Sequence, residues 1–262
     1  MNESGKDFNH EEALEIFKDL LPKIGKQILI MREEGRLDPI VKKSAIKEIV
    51  TKADLLSENL LTECVRKCWL HYGIRGEEGA EVRSSSEYEW LFDPIDATHR
   101  FAAGMDLFSI SVGLLKNGIP EFGILYFPAN NIFINASRGK GTFLNGEKVV
   151  VSSGGPIADE LFVSVDSITQ PEIAEKVRSL GCMILEIHSF TGSTLLLIQG
   201  KIGFYLHGGA SPFDLGAAAL IAGEAGCAVS QIDAGLIDFH QKKIPVILAR
   251  SKEILDEIRQ MV

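Results

Sequence analysis

The sequence predicts an α/β (α+β) protein in which two sheets are layered with helices. Apolar residues from Ala13 to Met31 repeat every three to four positions, which is typical of an amphipathic helix. After Phe101 the apolar period changes to two, which predicts an antiparallel meander in the N-terminal half. Beyond Ser153 short apolar runs alternate with helical stretches, which predicts alternating β/α structure in the C-terminal half.

The length and composition are typical of one large folded unit. The chain has 262 residues, and 45% of them are hydrophobic, which is enough for a sizeable core. No Pro/Gly/Ser-rich linker and no repeat separates the two halves. We therefore expect a single domain over residues 1–262, with sub-halves at about 1–153 and 154–262.

The charge balance limits the partners that we expect. The chain has 27 basic and 36 acidic residues, a formal net charge of −9. Nucleic acids and anionic membranes attract basic surfaces, so we expect neither as a partner. The first residues hold no apolar run, and no stretch of about 18 apolar residues occurs, so neither a secretory signal nor a membrane span is predicted. Four cysteines without a Cys-x-x-Cys pair favour reduced thiols and a cytoplasmic setting.

The first half begins with two predicted helices. Asn9 is placed to cap the first helix, and Pro22 lies within its apolar pattern. A charged segment over residues 33–48 follows and is predicted to be a loop. The second helix is predicted to start near Asp54 and to end before Gly73.

Strands and helices share the rest of the chain. Hairpin turns are predicted at Asn117-Gly118 and Asn145-Gly146. Further strands are predicted near residues 162–165, 183–187, 203–206 and 246–249. Further helices are predicted to start near Pro171, Ser193 and Asp214.

The stretch from Glu89 to Phe101 holds the main functional signal. A short apolar strand is predicted to end at Asp93, because Pro94 cannot donate to a sheet ladder. Asp96 follows three residues later, so the two carboxylates and the backbone carbonyl of Ile95 can converge on one small volume. Such oxygen clusters suit hard divalent cations, above all Mg²⁺.

Ala97 and Thr98 follow directly and are predicted to open a short helix, whose free N–H groups would bind an anion. The alternative interpretation is an ordinary Asp-Pro-x-Asp turn, because both residue types are common in turns. Three other acidic segments argue against that alternative: Thr51-Lys52-Ala53-Asp54, Gly76-Glu77-Glu78-Gly79 and Pro212-Phe213-Asp214-Leu215-Gly216-Ala217-Ala218-Ala219.

In this order and at these separations, the four segments resemble the inositol monophosphatase family of Mg²⁺-dependent, lithium-sensitive phosphatases. The resemblance runs from about Lys42 to about Ala228. It implies an α-β-α-β-α sandwich, a homodimer and hydrolysis of phosphate monoesters, most of all inositol 1-phosphate and related sugar phosphates. Fructose-1,6-bisphosphatases, 3′(2′),5′-bisphosphate nucleotidases and NADP phosphatases share these motifs and are alternatives. A metal- or phosphate-binding module without turnover and a structural protein with an acidic patch are the alternatives outside the enzymes.

The resemblance also implies a role for each site residue. Two Mg²⁺ ions, about 3.5–4 Å apart as in other two-metal sites, would be bound by Glu77, Asp93, the Ile95 carbonyl, Asp96 and Asp214. A third ion would lie near Glu78, and Mn²⁺ is a substitute for Mg²⁺. The expected catalytic residues, which orient or deprotonate the attacking water, are Asp54, Thr98 and Glu77. The expected phosphate- and substrate-binding residues are Ala97, Thr98, Lys43, Ser193 and His207.

Two positions depart from the family pattern. Ala97 stands where the family has glycine, and we expect a negative φ there with activity retained. His207, seven positions before Asp214, stands where inositol-selective members have an acidic residue. An imidazole there would relax selection for polyol hydroxyls, and its positive form would favour a second phosphate, so we expect a broad phosphatase. Ser193 lacks the Gly-x-Ser-x-Gly pattern of a serine hydrolase nucleophile.

Overall fold

The structure is a computed structural model that describes residues 8–42, 49–166 and 168–262. These residues form seven α-helices: α1 His10–Glu33, α2 Lys52–Cys68, α3 Thr98–Ala102, α4 Pro171–Ser179, α5 Phe190–Ile198, α6 Pro212–Glu224 and α7 Lys252–Met261. They also form fifteen strands: β1 Ile40–Val41, β2 Ile49–Val50, β3 Gly73–Gly76, β4 Glu81–Val82, β5 Tyr88–Asp96, β6 Ser109–Lys116, β7 Ile119–Phe127, β8 Ile132–Ser137, β9 Gly141–Leu144, β10 Glu147–Val149, β11 Phe162–Val165, β12 Met183–Ile184, β13 Phe204–Ala210, β14 Ala228–Gln231 and β15 Ile244–Ala249.

Eight strands form the first sheet, in the order β10-β9-β8-β7-β6-β5-β3-β4. Each strand from β5 to β10 is antiparallel to the next, so the predicted meander is confirmed, whereas β3 and β5 are parallel. The predicted turns at Asn117-Gly118 and Asn145-Gly146 have positive φ at all four residues, which is the turn geometry that Asn-Gly favours.

Five strands form the second sheet, in the order β12-β11-β13-β15-β14. β11 is parallel to β12 and β13, and β15 is antiparallel to β13 and β14. Helices α4, α5 and α6 lie between these strands along the chain, which confirms the predicted alternation. The predicted strand at residues 162–165 has the expected bounds, whereas the one predicted over 203–206 continues to Ala210.

The helices and sheets form five alternating layers. α1 and α2 contact one face of the first sheet, and α5 and α6 lie between the two sheets. α4 and α7 cover the outer face of the second sheet. The expected α-β-α-β-α sandwich is therefore confirmed. Because helices cover both faces of the first sheet, the small polar residues of β6 are buried as well, and Ser109 and Ser111 are 0% exposed.

Helix α6 approaches the first sheet closely at two glycines. A Cβ atom on Gly113 would lie 3.0 Å from the Ala217 nitrogen, and one on Gly123 would lie 3.0 Å from the Ala217 Cα. Only glycine fits such a backbone approach without displacing the helix. This contact brings the first turn of α6 to β5, where the acidic residues of the first sheet lie.

Strand β5 does not end at Asp93 as predicted. It continues through Pro94 to Asp96, and its register against β6 shifts between these two aspartates. Asp93 pairs with Ser111 and Asp96 with Ser109, so β5 contains one extra residue, a β-bulge. The bulge needs no ladder N–H at Pro94, which explains why a proline is tolerated inside this strand.

Three helix starts differ from the prediction, and one of them is α6, which begins at Pro212 with Asp214 in its first turn. α2 begins at Lys52, because Thr51 caps it, and Asp54 lies in its first turn. α5 begins at Phe190, so Ser193 lies inside this helix. Among the described residues, no helix is long and apolar enough to cross a membrane.

The close approach of α6 makes a stability prediction. Gly123→Ala should lower the free energy of unfolding by about 1–3 kcal/mol, because the new methyl group overlaps the α6 backbone. Gly223→Ala is the matched control on α6 itself, where a Cβ meets no atom within 4 Å. It should raise the free energy of unfolding by about 0.5–1 kcal/mol, because alanine favours the helix. Urea unfolding measures both, and equal effects of the two variants would contradict the packing argument.

Candidate active site

Three aspartates from two separate elements meet at one point. Asp93 and Asp96 lie at the bulged end of β5, and Asp214 lies in the first turn of α6. One carboxylate oxygen from each lies within 4.8 Å of the others. Asp93 and Asp96 are 2% and 6% exposed, so these charges have little water around them. The structure therefore concentrates negative charge between the two halves of the chain.

Asp93 is the most crowded of the three carboxyls. Its Oδ1 accepts a hydrogen bond from the Ile95 N–H at 3.0 Å. Burial raises its pKa well above the ordinary range, and the nearby Glu77 and Asp214 raise it further. The raised pKa means that this carboxyl favours binding a proton, and a cation at this point would take the place of that proton.

Asp214 leaves one buried oxygen without a partner. Its Oδ1 is enclosed and has no hydrogen-bond partner among the described residues. Burial raises the pKa of this carboxyl well above the ordinary range, with Asp96 as the next cause. An unpaired buried oxygen costs free energy, so this atom fits a site for a cation.

Asp96 is held by the N-terminus of α5. The N–H of Phe190 donates to its Oδ1 at 3.3 Å, and the N–H of Thr191 donates to its Oδ2 at 3.1 Å. The hydroxyl groups of Ser189 and Thr191 also donate to Oδ2. These four donors all come from residues 189–191, so the start of α5 fixes the position of this carboxylate.

Ala97 connects the bulged strand to α3 in a left-handed conformation. Its φ is 63° and its ψ is 47°, so the predicted negative φ is wrong. The chain turns from strand to helix within this one residue, and the N–H groups of Arg100 and Phe101 donate to the Ala97 carbonyl at 2.8 and 3.1 Å. The first N–H groups of α3 have no acceptor within that helix.

Thr98 and Asp54 form a hydrogen-bonded pair beside the cluster. Thr98 Oγ1 lies 2.9 Å from Asp54 Oδ1 and 2.9 Å from the Ile95 carbonyl oxygen. Asp54 Oδ2 accepts from the Thr51 N–H at 2.7 Å and from the Thr51 hydroxyl at 2.6 Å. Burial outweighs these hydrogen bonds and raises the pKa of Asp54 to about 6. Asp54 can therefore gain or lose a proton near neutral pH.

The turn between β3 and β4 presents Glu77 and Glu78 to a lysine. Lys42 Nζ lies 2.7 Å from Glu78 Oε1 and 3.6 Å from Glu77 Oε1. Burial among the site groups raises the pKa of Glu77 to about 7, although the positive charge of Lys42 lowers it. Lys43, which was expected to approach the site, lies outside the described residues. In the described part of this segment, Lys42 reaches the acidic turn.

Sequence reasoning missed two residues on α2. Ser57 donates to the Pro94 carbonyl at 3.1 Å, and Glu58 accepts from the N–H groups of Glu78 and Ala80, each at 2.8 Å. With Asp54 they occupy positions i, i+3 and i+4, which share one helix face. All three are buried polar residues. Three polar residues at this spacing on a face that is otherwise apolar are the signal that could have identified them.

A family model matches almost the whole chain. It describes the inositol monophosphatase family, and the match covers residues 9–261. The chain belongs to the inositol monophosphatase family. It is accordingly a phosphatase, as the four acidic segments predicted.

Two curated relatives and one solved structure illustrate the similarity. The Thermotoga maritima protein named fructose-1,6-bisphosphatase/inositol-1-monophosphatase is 30% identical over 217 residues, covering 82% of this chain and 83% of the relative. The Nus factor SuhB of Haemophilus influenzae is 30% identical over 243 residues, covering 88% and 90%. An IMPase/NADP phosphatase complexed with Mg²⁺ and phosphate has a TM-score of 0.86 at 18% identity, covering 96% of this chain and 95% of that one. This last likeness concerns the fold alone.

Ser193 is placed differently from its expected role in this family member. It is 0% exposed, and its hydroxyl donates to the Ser189 carbonyl at 3.0 Å inside α5. A second contact at 3.4 Å joins it to the Ser164 hydroxyl. Its hydroxyl therefore bonds within the protein interior, and the expectation that Ser193 binds substrate stays a prediction. Helix α5 contributes to the site through its first turn instead.

In this family member His207 lies beside Phe190, the residue whose N–H donates to Asp96. Its Nδ1 accepts from the Gly209 N–H at 3.1 Å, and its Nε2 lies 3.9 Å from Asp166 Oδ2. The ring contacts that of Phe190, and 28% of the side chain is exposed. Burial lowers its pKa from 6.5, so the imidazole is mostly neutral at pH 7. The expected positive form is therefore the minor one.

The conformation of Ala97 makes the second prediction. Ala97→Gly should raise the free energy of unfolding by about 0.5–1 kcal/mol, because the left-handed cost of alanine exceeds the entropy that glycine loses on folding. Turnover should change by less than about tenfold, or about 1.4 kcal/mol of barrier, because the backbone N–H is retained.

Ala234→Gly is the matched control, since its φ is 64° and it lies outside the site. It should raise stability similarly without changing turnover. If Ala97→Gly were less stable than the parent protein while Ala234→Gly was more stable, the strain assigned to Ala97 would be absent.

The raised pKa of Asp54 makes a prediction about pH. In EDTA-treated protein the folded state binds this proton more tightly than the unfolded chain does. The free energy of unfolding should therefore fall as the pH rises from about 4 to about 6, the interval between the two pKa values. The full effect of about two pKa units is roughly 3 kcal/mol. The measurement is urea unfolding of the parent protein and Asp54→Asn across this interval.

Asp54→Asn cannot ionise at this position. The free energy of unfolding of the parent protein, relative to that of Asp54→Asn, should therefore fall as the pH rises through this interval. Asp19→Asn, exposed on α1, is the control and should follow the parent protein. A constant difference between the parent protein and Asp54→Asn at all pH values would refute the raised pKa.

Proposed function

We propose that this phosphatase hydrolyses inositol and sugar phosphates with Mg²⁺ bound by the aspartate cluster. The observation that carries the proposal is the convergence of Asp93, Asp96 and Asp214 around the unpartnered Asp214 Oδ1. The donors are carboxylate oxygens, which Mg²⁺ prefers and Mn²⁺ also accepts. A protein of the same fold was crystallised with Mg²⁺ and phosphate, which supports this choice.

The proposed metal-binding residues are those that the family resemblance implies, and the cluster of Asp93, Asp96 and Asp214 supports three of them. Asp93 would lie at its centre, with Glu77 and the Ile95 carbonyl on one side and with Asp96 and Asp214 on the other. Glu78 is the candidate for a further ion, in exchange for its ion pair with Lys42. Bound Mg²⁺ would supply positive charge and lower the pKa of a water ligand.

The pair formed by Thr98 and Asp54 would handle the proton of the attacking water. The Thr98 hydroxyl has one hydrogen, so it can donate either to Asp54 or to the Ile95 carbonyl. When the Thr98 hydroxyl donates its hydrogen bond to Asp54, the Thr98 oxygen remains free to accept a hydrogen bond from water and so orient it. Asp54, with its pKa near 6, would then accept the proton that the water releases.

The substrate would bind between Ala97 and His207. The N–H groups of Ala97 and Thr98 are the proposed phosphate donors, and Lys42 or Lys43 would add positive charge. His207 is neutral and lies beside the carboxylate of Asp166, a pair that suits hydroxyl groups better than a second phosphate. We therefore favour sugar and inositol monophosphates within the broad class that was expected.

The remaining properties are proposals as well. Close packing of α6 against the first sheet supports a single domain, and four free cysteines support a cytoplasmic setting. A homodimer is expected from the family resemblance, and sedimentation equilibrium would test it. The net charge of −9 argues against direct contact with nucleic acid, which an RNA-binding titration would test alongside the SuhB relative.

A phosphate-release panel tests the function and its breadth. The substrates are inositol 1-phosphate, fructose 1,6-bisphosphate, a 3′,5′-bisphosphate nucleotide and NADP⁺, each with Mg²⁺, with Mn²⁺ and with EDTA. We expect release only with metal, and an efficiency on inositol 1-phosphate within about tenfold of that on a sugar phosphate. Release in EDTA would exclude the metal mechanism. A preference for inositol 1-phosphate above about a hundredfold, unchanged in His207→Ala, would exclude the breadth and the role of His207.

Removing the central carboxylate should separate metal binding from folding. Asp93→Asn should lower turnover by roughly a hundredfold or more, because an amide cannot provide the anionic ligand. Excess Mg²⁺ should raise the melting temperature of the parent protein, because an ion that binds only the folded state stabilises it. That rise should be much smaller in Asp93→Asn. Asp256→Asn, on the distant helix α7, is the control and should retain both properties. Identical melting curves with EDTA and Mg²⁺ in the parent protein would refute the metal site.

A further inference from the structure

Glu58 binds the backbone of the acidic turn between β3 and β4. One carboxylate oxygen accepts from the Glu78 N–H and the other from the Ala80 N–H, each at 2.8 Å. Glu58 is 5% exposed, so little water competes for these hydrogen bonds. Because both oxygens are engaged, the carboxylate fixes the orientation of the turn as well as its position.

The turn is built to admit this carboxylate. A Cβ atom on Gly76 would lie 2.2 Å from Glu58 Oε2, so a side chain at this position would displace Glu58. Gly79 has a φ of 114°, which glycine adopts without strain. The Gly76 N–H donates to the Ala80 carbonyl at 2.7 Å and closes the turn around the Glu58 side chain.

The turn that Glu58 binds carries the carboxyls of Glu77 and Glu78. Glu77 lies between Gly76 and Glu78, directly after Gly76, which pairs with Phe92, the residue before Asp93 on β5. The Glu77 N–H donates to the Phe92 carbonyl at 3.0 Å, which fixes the turn on the side of β5. Glu58 fixes the other side from α2, so Glu77 is held between two rigid elements.

The charge of Glu58 distinguishes this arrangement from ordinary packing. Its carboxylate adds negative charge beside Glu77 and Glu78, which an acidic turn alone would not favour. A neutral side chain would avoid that repulsion but could not accept two hydrogen bonds with equal strength. The geometry therefore favours accurate placement of the turn over local charge balance.

We propose that Glu58 is a positioning residue that sets the affinity of the site for Mg²⁺ by fixing Glu77 through the turn backbone. The inference rests on the proposed metal-dependent function. Glu58 does not contact the metal or the substrate. It acts on the turn that carries Glu77 and Glu78, the proposed metal-binding carboxylates that lie outside β5 and α6.

The test compares Glu58→Gln with Glu63→Gln, a control on the exposed part of the same helix that loses only a surface contact with Lys67. Three quantities are measured: the Mg²⁺ concentration for half-maximal phosphate release, the Mg²⁺ dissociation constant by calorimetry, and the hydrogen exchange of the Glu78 and Ala80 amides in EDTA. In Glu58→Gln we expect both Mg²⁺ constants to rise by about tenfold or more and the two amides to exchange faster. Turnover at saturating Mg²⁺ should stay within about threefold, and Glu63→Gln should match the parent protein.

Three outcomes would overturn the proposal. One is an unchanged Mg²⁺ dissociation constant, the second is lost turnover with an unchanged Mg²⁺ requirement, and the third is unchanged exchange of the two amides. If Glu58→Gln does not fold, the same three measurements are made on Glu58→Asp. Its shorter side chain keeps the charge but cannot reach both N–H groups. If the parent protein releases no phosphate from any substrate with Mg²⁺, the proposed function fails. The calorimetric and exchange comparisons would still decide the role of Glu58.

Discussion

Repulsion between buried carboxylates is the constraint on which the rest of this structure depends. Two such charges about 4 Å apart repel by roughly 4 kcal/mol at an effective dielectric near 20. Asp93, Asp96 and Asp214 lie within such a distance and have little water to screen them. A loop that carried these residues freely would move them apart. The fold therefore holds them on two rigid elements, β5 and α6.

Those elements come from distant parts of the sequence. Helix α2 supports the site from one side through Asp54, Ser57 and Glu58, which contact the Thr98 hydroxyl, the Pro94 carbonyl and the Glu78 N–H respectively. Helix α5 contributes the N–H groups that hold Asp96, and α6 carries Asp214. The sheets bring these helix ends together. The chemistry of the site is therefore a property of the layered arrangement, and no single motif contains it.

The sequence predicted the parts of this arrangement that depend on local chemistry. Hairpin turns at the two Asn-Gly pairs follow from φ preferences, and the Asp-Pro-x-Asp stretch follows from the affinity of oxygen clusters for hard cations. The helices and strands followed from hydrophobic period. The order of the four acidic segments indicated the family, because several spaced motifs are far more specific than one.

The errors arose where tertiary contacts overrule local preference. Pro94 is tolerated within β5 because of a bulge that depends on the pairing with β6. Ala97 is left-handed because the strand and α3 are fixed on either side of it. Ser193 was expected to begin a helix, but α5 begins at Phe190 because Ser189 caps it. The role of Glu58 was invisible because its partners are backbone N–H groups about twenty residues away.

The alternating small residues of β6 are informative in a different way. Their period suggested a strand with one polar face, yet Ser109 and Ser111 are buried against the middle helices. The Ser109 hydroxyl donates to Thr191 Oγ1 at 2.8 Å, and that of Ser111 donates to the Phe213 carbonyl at 3.1 Å. These residues join the first sheet to α5 and to the start of α6. Polar alternation here marks a helix-docking surface.

Because Asp214 and the first turn of α5 lie late in the sequence, a ribosome releases the site in a fixed order. The residues up to about Leu144 can pair into most of the first sheet while α5 and α6 are still unmade. At that stage the glycine-lined face that receives α6 is open to solvent or to other nascent chains. Asp214 is not brought to Asp93 and Asp96 until α6 docks. Assembly of the acidic cluster is thus postponed until the packing that restrains it is available.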